Sequence, residues 1–386
     1  VFVPFSAPGD FIRAHSRVEH SSYCEAELDE IMAPSSARIL PTCPHFSLCG
    51  GCDWQHISYP EQLIWKQRIL AHALIKIPRS PSFTILEPVP SQETYGYRCH
   101  TRLQYRDTPV STLGFFRKRS HAVLDCECCP ILNPRIQEAL SDIRAHCKAD
   151  PLRGITALDI YAPEEAVLIL AHTPLRPDAH DIQVLRQLSA VPGFAGCQIQ
   201  ETRSGRTRTI FGDACFTYHL DIHGRTIRFS GGVGGFIQAN PDINAQMVKH
   251  VLMLAQDAQR VLDLYGGCGN FGLPLADCVD EVIAVERDPR LASWGVQNAE
   301  RNHAPNMHIV QTDARQALIR HGFSGFDTIV LDPPREGAKD LIPYLPPMQP
   351  KRIIYVSCNP TTLARDLGLL ASRGFVLTSL RLFDMF

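Results

Sequence analysis

A thiol follows a short apolar run near the carboxyl end of the chain. Residues 353–356 (IIYV) are apolar and lead directly into Ser357-Cys358-Asn359-Pro360. Such a run is typical of a buried parallel strand, which the proline would end. Ligands of open α/β sheets bind beyond the carboxyl ends of the strands, so Cys358 is a candidate nucleophile. The alternative is a structural cysteine, because free cysteine is among the residue types most often buried.

A glycine-rich turn follows another apolar run, in residues 262–271 (LDLYGGCGNF). Glycines let the backbone approach a ligand closely, and a helix expected from Phe271 to about Cys278 would direct its amino end toward that ligand. The next apolar run ends in Glu286, at the position from which dinucleotide folds hold ribose hydroxyls. These features predict an adenosine-containing ligand. The glycine spacing does not match the GxGxxG pattern, which argues against NAD.

Two further runs end in carboxylates. Residues 307–310 lead to Asp313, and residues 327–331 lead to Asp332, which two prolines and Arg335 follow. Asp332 and Cys358 would then lie at the ends of successive strands, where we expect them to be neighbours. The alternative for Asp332 is a turn-forming aspartate, which is common.

The run from residue 236 to residue 386 resembles the S-adenosylmethionine-dependent RNA uridine C5-methyltransferases, and the resemblance extends back to about residue 1. The matching motifs are residues 236–240 (FIQAN), 262–271 (LDLYGGCGNF), 332–335 (DPPR), 357–360 (SCNP) and 382–386 (LFDMF). The resemblance implies an α/β fold whose class I, Rossmann-like methyltransferase domain binds S-adenosyl-L-methionine. It implies that Cys358 attacks uracil C6, and that five residues line the cofactor and target pocket: Gln238, Tyr265, Glu286, Asp313 and Asp332. Asn270, which lies in the glycine-rich turn, is a further candidate for cofactor binding.

Three cysteines near the amino end have the spacing of metal ligands. Five residues separate Cys43 from Cys49 and two separate Cys49 from Cys52. Thiolates at this spacing suit zinc or an iron–sulfur cluster, and both need a fourth ligand, for which Cys126, Cys128 and Cys129 are candidates. The resemblance implies that Cys129 is this ligand and that the group is a structural 4Fe-4S cluster. Zinc, and chance clustering in a chain with 14 cysteines, remain alternatives.

A stretch rich in arginine and aromatic residues lies between these cysteines. Residues 97–106 (YRCHTRLQYR) and 114–119 (GFFRKR) alternate cations with rings, a composition that suits single-stranded RNA. An ordinary solvated hairpin face is the alternative, and the resemblance favours RNA. The net charge of −2 gives no global nucleic-acid signature, so an RNA partner would need a local basic face.

The resemblance and the coarse pattern predict three domains. Residues 1–40 would form part of a TRAM-like β-barrel, residues 41–230 the iron–sulfur segment with a β-rich central RNA-binding domain, and residues 231–386 the methyltransferase domain. Helices are expected over 61–76 and 135–147, and from Pro241 with Asn240 as its cap. No run reaches the 18 apolar residues of a membrane span and no signal peptide is visible, so we expect a cytoplasmic protein with no membrane partner. We also expect a monomer.

The resemblance also raises an expectation about the carboxyl end. The family places a glutamate about ten residues beyond the motif at 382–386, where it removes the C5 proton, and this chain stops at Phe386. The apolar run 375–383 would be the edge strand of the sheet, without the final antiparallel strand beside it. The sequence therefore predicts a truncated, C-terminally incomplete form of a longer enzyme.

Three functions are compatible with these patterns. The first is methylation of uridine C5 in RNA, with large-subunit ribosomal RNA favoured over transfer RNA. The second is an RNA or small-molecule amino-methyltransferase that uses the Asp-Pro-Pro-Arg motif, and such an enzyme has no use for a thiol nucleophile. The third is a non-catalytic RNA-binding protein whose cluster senses oxidation, which predicts RNA binding without methyl transfer.

Overall fold

The computed structural model describes residues 1–75, 77, 83–107 and 111–386. Over these residues the strands are β1 (Phe11–Glu19), β2 (Cys24–Ala33), β3 (Thr84–Ile85), β4 (His100–Arg106), β5 (Thr112–Phe116), β6 (Val123–Asp125), β7 (Ala157–Tyr161), β8 (Val167–Thr173), β9 (Phe194–Glu201), β10 (Thr207–Gly212), β11 (Cys215–Ile222), β12 (Arg225–Gly232), β13 (Arg260–Leu264), β14 (Glu281–Glu286), β15 (Met307–Gln311), β16 (Thr328–Leu331), β17 (Arg352–Tyr355) and β18 (Ser379–Leu380).

The helices follow in the same order. They are α1 (Tyr59–Leu74), α2 (Pro134–Ala149), α3 (Ala179–Gln187), α4 (Pro241–Leu254), α5 (Gly272–Leu275), α6 (Pro289–Arg301), α7 (Ala314–His321) and α8 (Pro360–Ala371), with short 3-10 helices at Leu188–Ala190, Ile342–Tyr344 and Pro346–Met348. The predicted helices over 61–76 and 135–147 correspond to α1 and α2, although residue 76 lies outside the described residues. None of the described helices is long and apolar enough to cross a membrane.

The chain forms two compact units. The first unit contains Val1–Trp65 and Glu93–Ala214, and the second contains Lys66–Gln92 and Cys215–Phe386. The hairpin β11–β12 therefore belongs to the second unit, which starts earlier than the predicted boundary at residue 230. The division into three domains stays a prediction.

The first unit is built on a seven-stranded sheet. Its strand order is β10-β9-β8-β7-β4-β5-β6, and only the β8–β9 pair is parallel. A period of two places Leu103 and Tyr105 of β4 in the core, where they join Ile136 and Leu140 of α2. The amino-terminal strands β1 and β2 pair separately as an antiparallel hairpin, whose register shifts at three points.

The second unit contains a five-stranded parallel sheet with the order β15-β14-β13-β16-β17. The chain runs outward from β13 to β15 and then returns to β16, on the other side of β13. This reversal creates a topological switch point, and ligands of such sheets bind beyond the carboxyl ends of the strands there. The predicted α/β class with a Rossmann-like sheet is confirmed.

Two expectations about this sheet need correction. Helix α5 covers only Gly272–Leu275 instead of 271–278, because the N–H groups of Asp277 and Cys278 donate to carbonyls only three residues back, those of Pro274 and Leu275. The side chain of Asn306 then donates to the carbonyls of Ala276 and Val279 at 2.8 and 2.9 Å. Strand β17 is the edge of the sheet, so only Ile354 is fully buried in what the sequence predicts as a buried strand.

The apolar run 375–383 does not form an edge strand of the parallel sheet. Its two-residue strand β18 pairs with β3, and its carbonyl groups accept hydrogen bonds from the segment that includes Thr84, Leu86 and Val89 at 2.8–3.0 Å. The expectation of an unpaired edge strand is wrong, because a segment almost 300 residues earlier in the sequence pairs with this run.

Candidate active site and cysteine site

Neighbouring strands of the parallel sheet end at one level and bring together residues that are far apart in sequence. Leu264 of β13 pairs with Leu331 of β16, which in turn pairs with Tyr355 of β17. The residues that follow are Tyr265, Asp332 and the loop that carries Cys358. The backbone N–H of Asp332 donates to the carbonyl of Leu264 at 3.4 Å. The adjacent strands place the predicted nucleophile and the predicted carboxylate at the same rim.

The glycine-rich turn after β13 has a left-handed backbone at three residues. Tyr265, Gly267 and Gly269 have φ values of 67°, 58° and 101°. A left-handed non-glycine residue costs about 1 kcal/mol or more and is often found at functional sites. The side chain of Glu286 supports the turn, because its carboxylate accepts from the N–H of Gly267 at 3.0 Å and from that of Asp288 at 2.6 Å.

A reciprocal amide pair fixes the side chain at the end of this turn. The Nδ2 of Asn244 donates to Oδ1 of Asn270 at 2.8 Å, and the Nδ2 of Asn270 donates to Oδ1 of Asn244 at 3.0 Å. Asn244 lies in α4, where Asn240 caps the first turn and Pro241 is the first residue, as predicted. Gln238 lies half-buried two residues before that cap.

Asn244 and Asn298 are supporting residues that sequence reasoning missed. The buried side chain of Asn298 donates to the carbonyl of Cys268 at 3.1 Å and exchanges hydrogen bonds with the backbone of Ser230 in β12. Each amide stands on the buried face of an amphipathic helix, where an apolar residue is expected. A polar residue at a helix position where the pattern predicts an apolar one is the sequence signal that would have identified them.

Two carboxyl groups near the turn have raised pKa values, the buried Asp263 and the half-buried Asp332. Burial raises the pKa of Asp332 to about 6. Burial also raises the pKa of Asp263 to about 7, with further contributions from the negative charges of Asp332 and Glu286, while the amide of Gly272 opposes the shift. A Cβ atom at Gly272 would lie 3.0 Å from an oxygen of Asp263, which explains the glycine there.

The loops that carry Asp332 and Cys358 are tied to each other. The carbonyl of Arg335 accepts from the Oγ1 of Thr362 at 3.1 Å and from the Nδ2 of Asn359 at 3.4 Å. Asn359 also caps α8 through the N–H of Thr361. Cys358 itself is exposed, so the loop presents its thiol to solvent at the rim.

The buried carboxylate of Asp366 holds the loop that follows Asp332 through hydrogen bonds. Oδ2 of Asp366 accepts from the hydroxyl of Tyr355 at 2.7 Å and from the N–H of Ala338 at 2.6 Å, and Oδ1 accepts from Nε of Arg365 at 2.8 Å. Gly337 has a φ of 80°, and a Cβ atom there would lie 2.4 Å from Asp366. Only glycine fits at this position.

Asp313 caps α7 in the structure. Its Oδ1 accepts from the N–H groups of Arg315 and Gln316 at 3.1 and 3.2 Å. This bonding fixes the orientation of its carboxylate, and its role toward a cofactor stays a prediction.

The predicted cysteine site lies in the first unit. Gln55 accepts from the N–H of Cys43 at 3.1 Å, and Gln137 of α2 accepts from that of Cys129 at 2.9 Å. Burial, together with the nearby thiols of Cys52, Cys43 and Cys49, raises the pKa of Cys129 to about 12, while a hydrogen bond from the backbone of Ile131 opposes the shift. The predicted fourth thiol therefore lies within electrostatic reach of the other three.

These thiols are not gathered around a single point. Among the residues that the structure describes, no three His, Cys, Asp or Glu side chains lie close enough to hold one metal ion. A zinc ion would require thiolate sulfurs about 3.8 Å apart, from Zn–S bonds of about 2.3 Å. A 4Fe-4S cluster spreads its ligands over four irons. Whether these four thiols bind one group, and whether that group is a cluster or zinc, stays a prediction.

The arginine-rich stretch is only partly exposed. In β4, Arg102 and Arg106 face outward while Tyr105 lies in the core, so Tyr105 is not a platform for base stacking as its setting in the sequence suggested. Arg102 binds the buried Asp159 through Nε–Oδ1 and Nη2–Oδ2 contacts of 2.5 and 2.7 Å.

Comparison with known proteins decides the family. The sequence profile of the family described as tRNA (Uracil-5-)-methyltransferase matches residues 58–386. The chain belongs to this family. The predicted resemblance is confirmed, and so is the enzyme class, an RNA uracil-C5-methyltransferase with S-adenosyl-L-methionine as the methyl donor.

Relatives of this methyltransferase cover the whole chain. Those from Xanthomonas campestris pv. campestris (strain 8004) and Alkalilimnicola ehrlichii are 34% and 33% identical, and each alignment covers 100% of this chain and 88% of the relative. A relative from Acinetobacter baumannii (strain AB0057) is 31% identical over 100% of this chain and 86% of its own. All three are named 23S rRNA (uracil(1939)-C(5))-methyltransferase RlmD.

A solved structure shares the fold of this methyltransferase. The Pyrococcus abyssi tRNA (uracil-54, C5)-methyltransferase in complex with S-adenosyl-L-homocysteine superposes with a TM-score of 0.76 at 24% identity. The superposition covers 95% of this chain and 88% of the other.

Proposed function

We propose that this enzyme methylates C5 of a uridine in large-subunit ribosomal RNA, with Cys358 as the nucleophile. The observation that carries the proposal is the exposed thiol of Cys358 at the sheet rim, beside a strand that ends in Asp332 and on a loop tied to Arg335. Family membership gives the reaction class, and the 31–34% identity to proteins named for 23S rRNA supports a ribosomal substrate.

The chemistry explains the need for a thiol. Uracil C5 is a poor nucleophile, and attack of the Cys358 thiolate on C6 forms a C–S bond and moves electron density to C5. S-adenosyl-L-methionine supplies the electrophilic methyl group that C5 then takes. Removal of the C5 proton by a base restores the double bond and expels the thiolate. The target base must leave its stack for C6 to reach the sulfur.

The carboxyl ends of the strands would hold the methyl donor. We assign the cofactor contacts to the predicted residues Gln238, Tyr265, Asn270, Glu286, Asp313 and Asp332. Glu286 suits ribose hydroxyls, because its carboxylate accepts hydrogen bonds and is fixed against the glycine turn. The amide pair with Asn244 fixes the orientation of the Asn270 side chain before any ligand binds. A ligand that leaves this pair intact would therefore bind to a preorganised side chain.

The first unit would carry a 4Fe-4S cluster bound by Cys43, Cys49, Cys52 and Cys129. Besides burial, the nearby thiols of Cys52, Cys43 and Cys49 contribute to the raised pKa of Cys129, which supports the proximity of the four thiols; Cys126 is affected by Cys49 and Cys43 in the same way. The buried thiol of Cys126 already donates to the carbonyl of Cys128 at 3.1 Å, which favours Cys129 as the fourth ligand. We assign the cluster a structural role, joining the loop at residues 43–52 to the segment near residue 129.

A methylation assay tests the proposed function. Full-length 23S rRNA and bulk tRNA transcripts would be incubated with the enzyme and S-adenosyl-L-methionine, and 5-methyluridine would be mapped by mass spectrometry. We expect one modified uridine in 23S rRNA. Cys358→Ala should lower the rate about 10⁴-fold or more, because it removes the nucleophile. Cys278→Ser changes an exposed cysteine of the same unit and serves as the control.

Two results would refute parts of this proposal. Methylation of tRNA alone would overturn the ribosomal substrate, and a fully active Cys358→Ala enzyme would overturn the mechanism. Methyl transfer to an amino group would revive the amino-methyltransferase alternative, which no observation on the structure favours. The predicted cytoplasmic monomer belongs to this proposal, and a dimer mass in light scattering would contradict it.

A further inference from the structure

Three arginines from separate elements surround one open cavity in the first unit. The cavity has a volume of about 640 Å³ and is lined by Arg176 before α3, Arg186 within α3 and Arg208 in β10. Gln183 and Ile182 of α3 complete much of the wall. All three arginines are exposed. Together they form a patch that we call the arginine pocket.

The arginine pocket lacks compensating charge. Within the part of the chain that the structure describes, the side chains of its three arginines form no ion pair, and no carboxylate lines the cavity. Of the acids near these arginines in sequence, Asp178 caps α3, the buried Asp181 accepts from the N–H groups of Arg153 and Gly154, and Glu201 accepts from the hydroxyl of Ser204. The exposed Asp213 follows Arg208 in sequence but does not line the cavity. Other arginines of this unit bind carboxylates, as Arg144 binds Asp125. Converging guanidinium groups repel one another, and a bound anion would relieve that repulsion.

Positive charge continues beyond the pocket along one hairpin. Arg203 and Arg206 lie in the exposed turn between β9 and β10, next to the strand that carries Arg208. A small free anion is usually held in an enclosed site by backbone N–H groups. An open cavity with exposed guanidinium groups and an adjoining basic turn better suits a polyanion that passes over the surface.

We propose that the arginine pocket binds backbone phosphates of the RNA substrate, as an RNA contact made by the first unit. This inference rests on the proposed function for the identity of the RNA. Arg176, Arg186 and Arg208 would each neutralise a phosphate, and Gln183 would donate to an adjacent phosphate or sugar oxygen. Such contacts contribute affinity and orientation without base specificity, so they would act on RNA binding and leave the chemical step unchanged.

The test is RNA affinity as a function of salt. Binding of full-length 23S rRNA would be measured for the wild type and for the double variant Arg186→Gln/Arg208→Gln. Each lost phosphate contact on single-stranded RNA should reduce the slope of log K against log salt by about 0.7. The double variant should therefore bind about 25-fold more weakly at 0.1 M salt, with a slope smaller by about 1.4 and an unchanged kcat at saturating RNA.

The matched control is the double variant Arg135→Gln/Arg352→Gln. It removes the same charge from two arginines that already bind carboxylates, Glu165 and Asp257, and it should bind within about twofold of the wild type. Equal weakening of the two double variants would show a net-charge effect and overturn the inference, as would no weakening in either. Calorimetric binding of inorganic pyrophosphate that the pocket variant loses, without any change in RNA affinity, would assign the pocket to a free anion and also overturn it.

The binding assay separates this inference from the proposed function. A wild type that binds RNA but transfers no methyl group to 23S rRNA would refute the proposed function, while the affinity ratio of the two double variants would still decide the role of the pocket. Normal methylation with equal affinities in all three proteins would refute the pocket alone.

Discussion

The two candidate sites of this enzyme are positioned in different ways. In the second unit, the proposed active-site residues follow parallel strands whose carboxyl ends meet at one rim, so the topology brings them together without a ligand. In the first unit, the four thiols lie on loops. The loop at 43–52 pairs with the segment around Arg117 through Leu48, Cys49 and Gly50, and the N–H of Cys129 donates to the side chain of Gln137. On the proposed function, the sheet alone would position the active site, whereas we expect the cysteine site to need its bound group.

We expect the largest effect from removing a proposed cluster ligand from the cysteine site. Anaerobically purified protein should hold about four irons per chain, and Cys129→Ser should lose them and destabilise the first unit. Binding of S-adenosyl-L-methionine by the second unit should persist, because the parallel sheet needs no metal. Iron content and calorimetric cofactor binding would be measured on the same preparation.

Cys126→Ser and Cys128→Ser are the controls for that substitution. Both should keep their iron if Cys129 is the ligand. Loss of iron in Cys128→Ser with retention in Cys129→Ser would reassign the fourth ligand. Stoichiometric zinc without iron in the wild type would refute the cluster.

A glycine comparison tests how rigidly the active-site loops are held. Gly337→Ala places a Cβ atom 2.4 Å from Asp366 at a φ of 80° and should cost about 2–4 kcal/mol of unfolding free energy. Gly368→Ala within α8 meets no atom within 4 Å and should stabilise by about 0.5–1 kcal/mol. Hydrogen exchange of β16 and β17 would report both effects. Equal protection in the two variants would mean that the loop tolerates displacement.

Asp263 should make the second unit less stable as pH rises. Its pKa rises from 3.8 to about 7 on folding, so the folded state binds the proton more tightly than the unfolded chain. The stabilisation is complete below pH 4 and is lost as pH rises through about 7. Between pH 5 and pH 8 the free energy of unfolding should fall by roughly 2–3 kcal/mol. Asp263→Asn should abolish this dependence. Hydrogen exchange of β13 in cofactor-free protein at both pH values is the measurement, and identical pH profiles in variant and wild type would contradict the assignment.

The smallest effect concerns the amide pair. Asn244→Ala leaves Asn270 without its reciprocal partner, and the affinity for S-adenosyl-L-methionine should fall about 5- to 10-fold, the value of one or two hydrogen bonds. Met253→Ala, on the exposed face of the same helix, is the control. Unchanged affinity in Asn244→Ala would show that Asn270 needs no orienting partner or does not contact the cofactor.

The sequence predicts the parts of the active site that follow from local patterns. Apolar runs that end in Glu286, Asp332 and Cys358 identify strand ends, and the parallel sheet then groups them. Contacts between distant segments leave no such pattern. The pairing of β18 with β3 overrides the expectation of an edge strand at 375–383, and the Asn244–Asn270 pair joins a helix to a turn.

The same limit applies to the first unit. The spacing of Cys43, Cys49 and Cys52 is a local signal, whereas the fourth ligand depends on which of three cysteines the fold brings near them. The arginine pocket combines a loop, a helix and an edge strand, so no short run of sequence reveals it.

The central claim is that a preformed sheet rim presents Cys358 as the nucleophile toward uridine C6. A 23S rRNA transcript that contains 5-fluorouridine tests it most directly, because fluorine at C5 cannot leave as a proton does and the covalent adduct should accumulate. We predict a complex that survives denaturation in the presence of S-adenosyl-L-methionine, with the RNA attached to the peptide that contains Cys358. An adduct on any other residue, or a normal yield of adduct with Cys358→Ala, would contradict the account.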